Sequence, residues 1–228
     1  MSILSDYTTE NYLKAIAKHL SDPLNTRIST GDLARLLGVT SSTATTMMKR
    51  LERQGYVRYR SHHGCTLTAE GARYGLKILR RHRLLETFLV THLDFDLESA
   101  HQEAERLEHA VSESFIEAIN IRMGCPATDP NGNIIPDLGQ EHFVTTDRPF
   151  SHAPIGRSLT VSRIKSDARV ATYLKGESIT VGTSLTIIEV DRTVGIAVVE
   201  ADGERTRISA ASLDYLYYSD EAAQPKEY

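Results

Sequence analysis

Gly38-Val39-Thr40-Ser41-Ser42-Thr43-Ala44-Thr45-Thr46-Met47-Met48-Lys49-Arg50 brings two helices of this chain together at a tight break. Upstream, Ser29-Thr30-Gly31-Asp32 has capping-box spacing and opens a short helix through Leu33, Leu36 and Leu37. Downstream of the break, Ser41 opens a second helix that runs to about Gln54 and ends at Gly55. Two short helices joined by a glycine-containing turn are the sequence form of a helix-turn-helix. A Ser/Thr-rich helix start by itself is only an N-cap, so the meaning of this one comes from its surroundings.

Those surroundings are specific. Tyr56-Val57-Arg58-Tyr59-Arg60 alternates as a strand, Ser61-His62-His63-Gly64 turns, and Cys65-Thr66-Leu67 returns. A helix-turn-helix followed at once by a basic hairpin is a winged helix. Its second helix and the break before it offer Thr40, Ser41, Ser42, Thr43, Thr45 and Thr46 to bases or phosphates. Lys49, Arg50, Arg53, Arg27 and the wing's Arg60 are placed for phosphate. Adjacent histidines at the wing tip, His62 and His63, are poorly placed to share a metal ion.

Outward from this unit, Tyr7 to Leu20 reads as a first helix capped by Thr8 or Thr9, with Tyr12, Leu13, Ile16, Ala17 and Leu20 on its apolar side. Thr68 caps a long helix from about Ala69 to His92, and Asp94-Phe95-Asp96 breaks it. Leu97 to about Arg122 is expected as one helix. On it, His101, Glu105, Glu108 and His109 fall within roughly 100° of one face. Leu107, Val111, Phe115, Ala118 and Ile119 form a separate apolar stripe. His82 and Glu86 repeat the i, i+4 spacing one helix earlier. Alone, such a run is an ordinary solvated face; two of them can close around a divalent cation.

Charge divides accordingly. The net charge is -4, yet Thr26–Arg83 sums to +9 and Leu84–Glu117 to -8, with histidine neutral. A basic first part suits a polyanion and the acidic part a cation. Both long helices carry more apolar surface than one small domain buries, which implies a second copy of the chain.

Beyond Gly124-Cys125-Pro126 the composition turns to Pro, Gly, Asp and Asn through Ile155. Short strands then follow at Ser158–Val161, Ser184–Ile188, Ile196–Val199 and Arg207–Ser209, with a helical turn at Val170–Leu174. They predict a small β-barrel of about 60 residues and a frayed tail after Ser219. No apolar run spans a bilayer, and Met1–Asp6 lacks a signal-peptide pattern. Cys65 and Cys125 make neither a metal pair nor a disulfide framework. The expectation is a cytoplasmic α+β, multidomain protein with no membrane association. The expected division is residues 1–74 winged helix, 75–140 helical, 141–155 linker, 156–220 barrel and 221–228 tail.

The winged helix resembles the DtxR/MntR family of iron- and manganese-dependent transcriptional regulators. So do Arg81-His82-Arg83-Leu84-Leu85-Glu86, His101-x-x-x-Glu105-x-x-Glu108-His109, and Cys125-Pro126 leading to Asn131-Gly132-Asn133-Ile134-Ile135-Pro136. The match runs from Tyr12 to about Pro136, and the barrel resembles the SH3-like domain of the longer members. The resemblance implies a homodimeric, metal-activated repressor that binds a palindromic double-stranded operator. It places one metal site at His82, Glu86 and His101 and another at Asn11, Glu105, Glu108 and His109.

Asn11 stands where the family has Met or Asp, which leaves Asp6 and Glu10 as alternative first-helix ligands. Lys14 stands where the manganese branch has a further carboxylate, which favours two separated sites. Asp167 lies nearest the position from which the barrel of longer members lends a ligand.

Oxygen and nitrogen ligands suit Mn²⁺, with Fe²⁺ the alternative; Zn²⁺, Co²⁺, Ni²⁺ or Cd²⁺ are expected to fill such sites in vitro. A metal-dependent hydrolase would use the same ligand types, but there is no separate nucleophile motif and no Gly-rich phosphate loop. No small-molecule substrate is expected. A DNA-binding module with no metal requirement is the other rival, and Mn²⁺ raising melting temperature and DNA affinity together separates the two.

Overall fold

The computed structural model describes residues 3–22, 25–141, 146–165 and 168–219, with the side chains of residues 3–6 and 168 excepted. The chain forms two compact units. One takes the chain up to Leu85, Glu103–Pro126 and the segment from Ile135; the other takes Glu86–Gln102, Ala127–Ile134 and the chain from Thr146.

In the first unit, α1 (Ile3–Leu20), α2 (Thr30–Leu37) and α3 (Ser41–Arg53) precede a hairpin of β1 (Val57–Arg60) and β2 (Gly64–Leu67). Thr8 and Thr9 are not caps: α1 begins at Ile3, because no proline or glycine in the first residues stops the helix from extending upstream. Ser29 caps α2 by accepting from the Asp32 amide, and Gly38 ends it at φ 64°, a left-handed conformation that costs glycine little. Leu13, Ile16, Ile28, Leu33, Met48, Leu51 and Val57 make the core of this head. Cys65 belongs to it, paired with Ile28 in a short bridge, and burial pushes its thiol up to about 12. It is a protonated packing residue.

The helix α4 (Ala69–Leu93) leaves the wing and runs unbroken past residue 74, where the sequence reading ended its first domain. Thr68 Oγ1 caps it by accepting from the Gly71 amide. On α4, Gly75 lets α1 press close, since a Cβ there would stand 2.5 Å from the Leu13 carbonyl oxygen.

The expected single helix over Leu97–Arg122 is two: α5 (Leu97–Leu107) and α6 (Glu113–Arg122). Ser112 decides the break, its hydroxyl accepting from the Phe115 amide as an N-cap that restarts the helix. The apolar stripe shifts with it: Ile116 and Ile119 are buried, while Phe115 is exposed. Glu108 and His109 therefore occupy the turn after α5, although the Glu108 amide still donates to the Ala104 carbonyl.

In the second unit, β3 (Arg148–Pro149), β4 (Ser158–Ile164), α7 (Ala168–Gly176), β5 (Ser184–Asp191), β6 (Ile196–Ala201), β7 (Glu204–Ser209) and β8 (Leu216–Tyr218) form an SH3-like domain. Its six-stranded sheet has the order β3-β8-β4-β5-β6-β7, every pair antiparallel. Bulges between Val161 and Arg163 and between Ile187 and Glu189 bend it around Phe150, Leu185, Val199 and Leu216. Two strands escaped the sequence reading. β3 and Phe150 lie in the stretch read as linker, and β8 buries all three of its residues, so it shows no alternation. The Asn131-Gly132-Asn133 stretch is a loop organised by buried Asp129, whose Oδ1 accepts from the amides of Asn131 and Asn133.

Candidate metal centre and nucleic-acid interface

The helix α3 buries Ala44, Met47, Met48 and Leu51 and so turns Ser42, Thr43, Thr46, Lys49 and Arg53 outward. Ser41 is also exposed, while Thr45 and Arg50 are half-buried. Thr40 caps the helix, accepting from the Thr43 amide at 3.1 Å. The hydroxyls of Thr45 and Thr46 donate back to the carbonyls of Ser41 and Ser42 at 2.8 and 3.0 Å. Their protons are thereby spent within the helix, which leaves a methyl group and an acceptor oxygen for recognition. Arg60 ends β1 beside the wing turn and is exposed, and Arg27 donates to the His63 carbonyl of that turn at 3.4 Å.

Part of the positive charge counted in the sequence does not face outward. Arg80 pairs with Glu117 and donates to the Pro136 carbonyl; Arg81 and Lys77 pair with Glu113; Arg73 pairs with Glu141; Arg83 is buried. The basic start of α4 is largely consumed by ion pairs, most of them to α6. Spacing within either helix gives no sign of this, because the partners lie about 30 residues or more apart in the chain.

A buried ionic group joins α1, α4 and the end of α5. Glu108 is 0% exposed and Lys14 8% exposed. Lys14 Nζ donates to Glu108 Oε1 at 2.5 Å and to Glu105 Oε1 at 2.8 Å. The other Glu108 oxygen accepts from His82 Nδ1 at 2.8 Å. Because a carboxylate only accepts, that bond puts a proton on Nδ1, and in the neutral ring it leaves Nε2 as the nitrogen able to bind a metal ion. Ligand atoms of His82, Glu105 and Glu108 lie within 4.8 Å of one another.

His109 is held by α1, with Nδ1 at 2.5 Å from Glu10 Oε2 and Nε2 at 2.8 Å from Asn11 Oδ1 and 3.2 Å from Glu108 Oε1. Burial pushes the Glu10 carboxyl up, but hydrogen bonds from His109 and Tyr74 and the charges of His109 and Arg81 outweigh it and hold it below its ordinary value. Asn11, Glu105, Glu108 and His109 are thus gathered, together with Glu10 and the ammonium of Lys14. The Asp6 side chain and Asp167 lie outside the described residues.

In the other unit, Glu86 is 2% exposed and its Oε1 stands 4.0 Å from His101 Nδ1. That is too long for a hydrogen bond and suits two ligands on either side of one ion. His82 precedes Glu86 by one turn on α4. This donor pair, a buried carboxylate with an imidazole, fits Mn²⁺ or Fe²⁺.

The family model described as the iron dependent repressor N-terminal DNA binding domain matches residues 6–65, and that described as its metal binding and dimerisation domain matches residues 68–137. An uncharacterised HTH-type transcriptional regulator of Methanocaldococcus jannaschii is 40% identical over 114 residues, 50% of this chain and 90% of its own length. The diphtheria toxin repressor of Corynebacterium glutamicum is 30% identical over 160 residues, 67% of this chain and 68% of its own. The solved structure of a manganese-dependent transcriptional repressor in complex with manganese superposes with a TM-score of 0.81 at 32% identity, covering 92% of this chain and 99% of that one. A winged helix ahead of a carboxylate–imidazole cluster, a sheet domain behind it, and these likenesses lead to one conclusion: the chain belongs to the iron-dependent repressor (DtxR/MntR) family of metal-dependent, DNA-binding transcriptional repressors.

Proposed function

We propose that this protein is a homodimeric repressor of metal-uptake genes that binds a palindromic operator when Mn²⁺ occupies His82, Glu86 and His101. Fe²⁺ is the alternative ion. The observation that carries the reading is Glu86, a carboxylate almost wholly removed from water and facing an imidazole at 4.0 Å. A buried carboxylate beside an imidazole is a ligand pair suited to a divalent cation. The donors are hard, and the solved repressor that resembles most of this chain is described as holding manganese.

A bound divalent ion would supply positive charge that ties these side chains together. The chain's own residues supply the rest. His82 lies 13 residues along α4 from Ala69, about 20 Å of continuous helix from the wing. Holding that end of α4 thus constrains the orientation of the reading head. On the head, Ser42, Thr43 and Thr46 are the base-reading residues, and Lys49, Arg53, Arg60 and Arg27 contact phosphate. Ser41, Thr45, Thr40 and Arg50 complete the surface. Phe115 and Ile121 on α6, 46% and 64% exposed, support pairing with a second copy. Two copies must hold their recognition helices about 34–36 Å apart, or a multiple of that, to read one operator.

Among the described residues, no helix is long and apolar enough to cross a membrane.

The test is operator binding measured after chelation and then against Mn²⁺, Fe²⁺, Co²⁺ and Zn²⁺ in turn, with palindromic and half-site DNA. Stimulation by Mn²⁺ at the lowest free concentration, on the palindrome only, is the expected result. Binding that ignores every metal, or that treats a half-site as well as the palindrome, overturns the reading.

A further inference from the structure

The Glu105–Glu108 group is where a second divalent ion would be sought, yet its two facing oxygens are already held by an ammonium. Lys14 Nζ sits 2.5 Å from Glu108 Oε1 and 2.8 Å from Glu105 Oε1, close enough for a charge-assisted hydrogen bond to each. A divalent ion bound to these oxygens would stand within a few ångström of that ammonium. Lys14 and Glu108 are buried and only Glu105 reaches water, so solvent would screen the repulsion only in part. Glu108 has no spare oxygen either, since His82 Nδ1 donates to the other one at 2.8 Å. The anchoring is geometric as well: α1, which carries Lys14, lies so close to α4 at Gly75 that a single Cβ would meet the Leu13 carbonyl at 2.5 Å. The group does not fit a second divalent ion.

We propose that Lys14 is a tethered cation that replaces the second metal ion, so that each chain takes up one activating ion and not two. Lys14 does permanently what an ion would do on demand: it ties the first helix of the DNA-reading head to the end of α5. The inference rests on the functional reading above for where the single ion binds, but not for the role of Lys14. It has two consequences. Metal occupancy follows a single-site curve per chain, and part of the ordering of the head is present in metal-free protein.

The experiment is equilibrium dialysis of the full chain against Mn²⁺ with the metal counted by mass spectrometry, for wild type, Lys14→Met and Lys14→Glu, alongside melting temperatures in chelator and in Mn²⁺. The expected stoichiometry is one ion per wild-type chain and two per chain of either variant. In chelator both variants should melt below wild type, with Mn²⁺ recovering more stability in them than in wild type. Two ions per wild-type chain overturn the proposal outright, even if neither variant folds. One ion in all three proteins also overturns it, because Lys14 would not be what excludes the second. No ion in wild type with one in Lys14→Glu supports the role of Lys14 and removes the reading at His82, Glu86 and His101. No ion in any of the three overturns both.

Discussion

Two carboxylate groups in this chain have similar side chains and opposite solutions. Around Glu105 and Glu108 the protein supplies its own counter-ion, Lys14, with a histidine donating to the remaining Glu108 oxygen. At Glu86 the His101 Nδ1 stands 4.0 Å from Oε1, a spacing that leaves room between those two atoms. The first arrangement is complete as a fold element; the second is suited to an ion from solution. Ligand-type residues at ligand-type spacing are therefore not enough to define a metal site. A single cationic side chain from another helix turns one into a structural ion pair.

The largest test of this contrast is to exchange the two phenotypes. Glu108→Ala removes the buried partner of Lys14, leaves it only the part-exposed Glu105, and should cost up to about 3–5 kcal/mol, a fall of up to about 6–20 °C in Tm at the usual sensitivity of a chain this size. Glu86→Gln, which keeps the size of the side chain, should lower Tm in chelator less than Glu108→Ala does but abolish Mn²⁺-stimulated operator binding, more than the roughly 10–100-fold typical of losing an outer partner. Calorimetry and a DNA-binding titration read the two effects. If Glu86→Gln unfolds the protein and Glu108→Ala only loses the metal response, the contrast is reversed.

Next in size is the paired replacement Lys14→Met/Glu108→Leu. A buried ion pair replaced at both ends by apolar groups of similar volume is often nearly neutral, whereas one end alone is costly. The double variant should recover most of the stability lost by Glu108→Ala in denaturant titrations. No recovery would mean that His82 and not Lys14 is the partner that matters.

A smaller effect is expected at the reading head, whose polar residues face solvent. Arg60→Ala should weaken binding to every DNA sequence and lower the slope of log K against log salt by about 1. The loss should be the same in wild type and in Lys14→Met, because distant sites add independently. A change in sequence preference on Arg60→Ala would show that the wing reads bases.

The smallest effect contrasts a carboxylate held in solvent with one held in the core. A hydrogen bond from Ser29 outweighs the opposing effect of burial and, with the charge of Arg35, keeps Asp32 below its ordinary carboxyl value. The stability it contributes is present above its unfolded value of 3.8 and is lost as pH falls through the lower folded one. Asp32→Asn should cost at most about 1 kcal/mol, the scale of a helix cap. That difference between the two proteins should vanish at low pH in melts run from pH 6 down to 2. A difference that persists at low pH would mean that charge is not the cause.

Most of the head is legible in the sequence, because its signals are local. The capping box at Ser29–Asp32 and the glycine stop at Gly38 each act within four residues, whereas the capping role of Thr40 came from the structure. The four-residue strands on either side of the Ser61–His63 turn were equally plain. The strands β4 to β7 were visible through alternation. β3 and β8 were not, since two or three buried residues carry no period. The helix break before α6 was missed for a related reason. Leu107, Val111, Phe115 and Ile119 keep helical spacing across it, and a serine cap is a weak signal inside an apparent period.

At the candidate site the sequence by itself determined the inventory: which histidines and glutamates lie one turn apart, on which helices, behind which DNA-reading head. Only the tertiary structure decided how these groups are used. Lys14 lies about 90 residues from the carboxylates it neutralises, Glu10 and Asn11 lie about as far from His109, and Arg81 lies about 30 residues from Glu113. The reason is physical. Helix caps and turns are short-range bonds set by neighbouring residues, whereas the state of a buried charge depends on which opposite charge shares its low-dielectric surroundings, and packing alone brings those together.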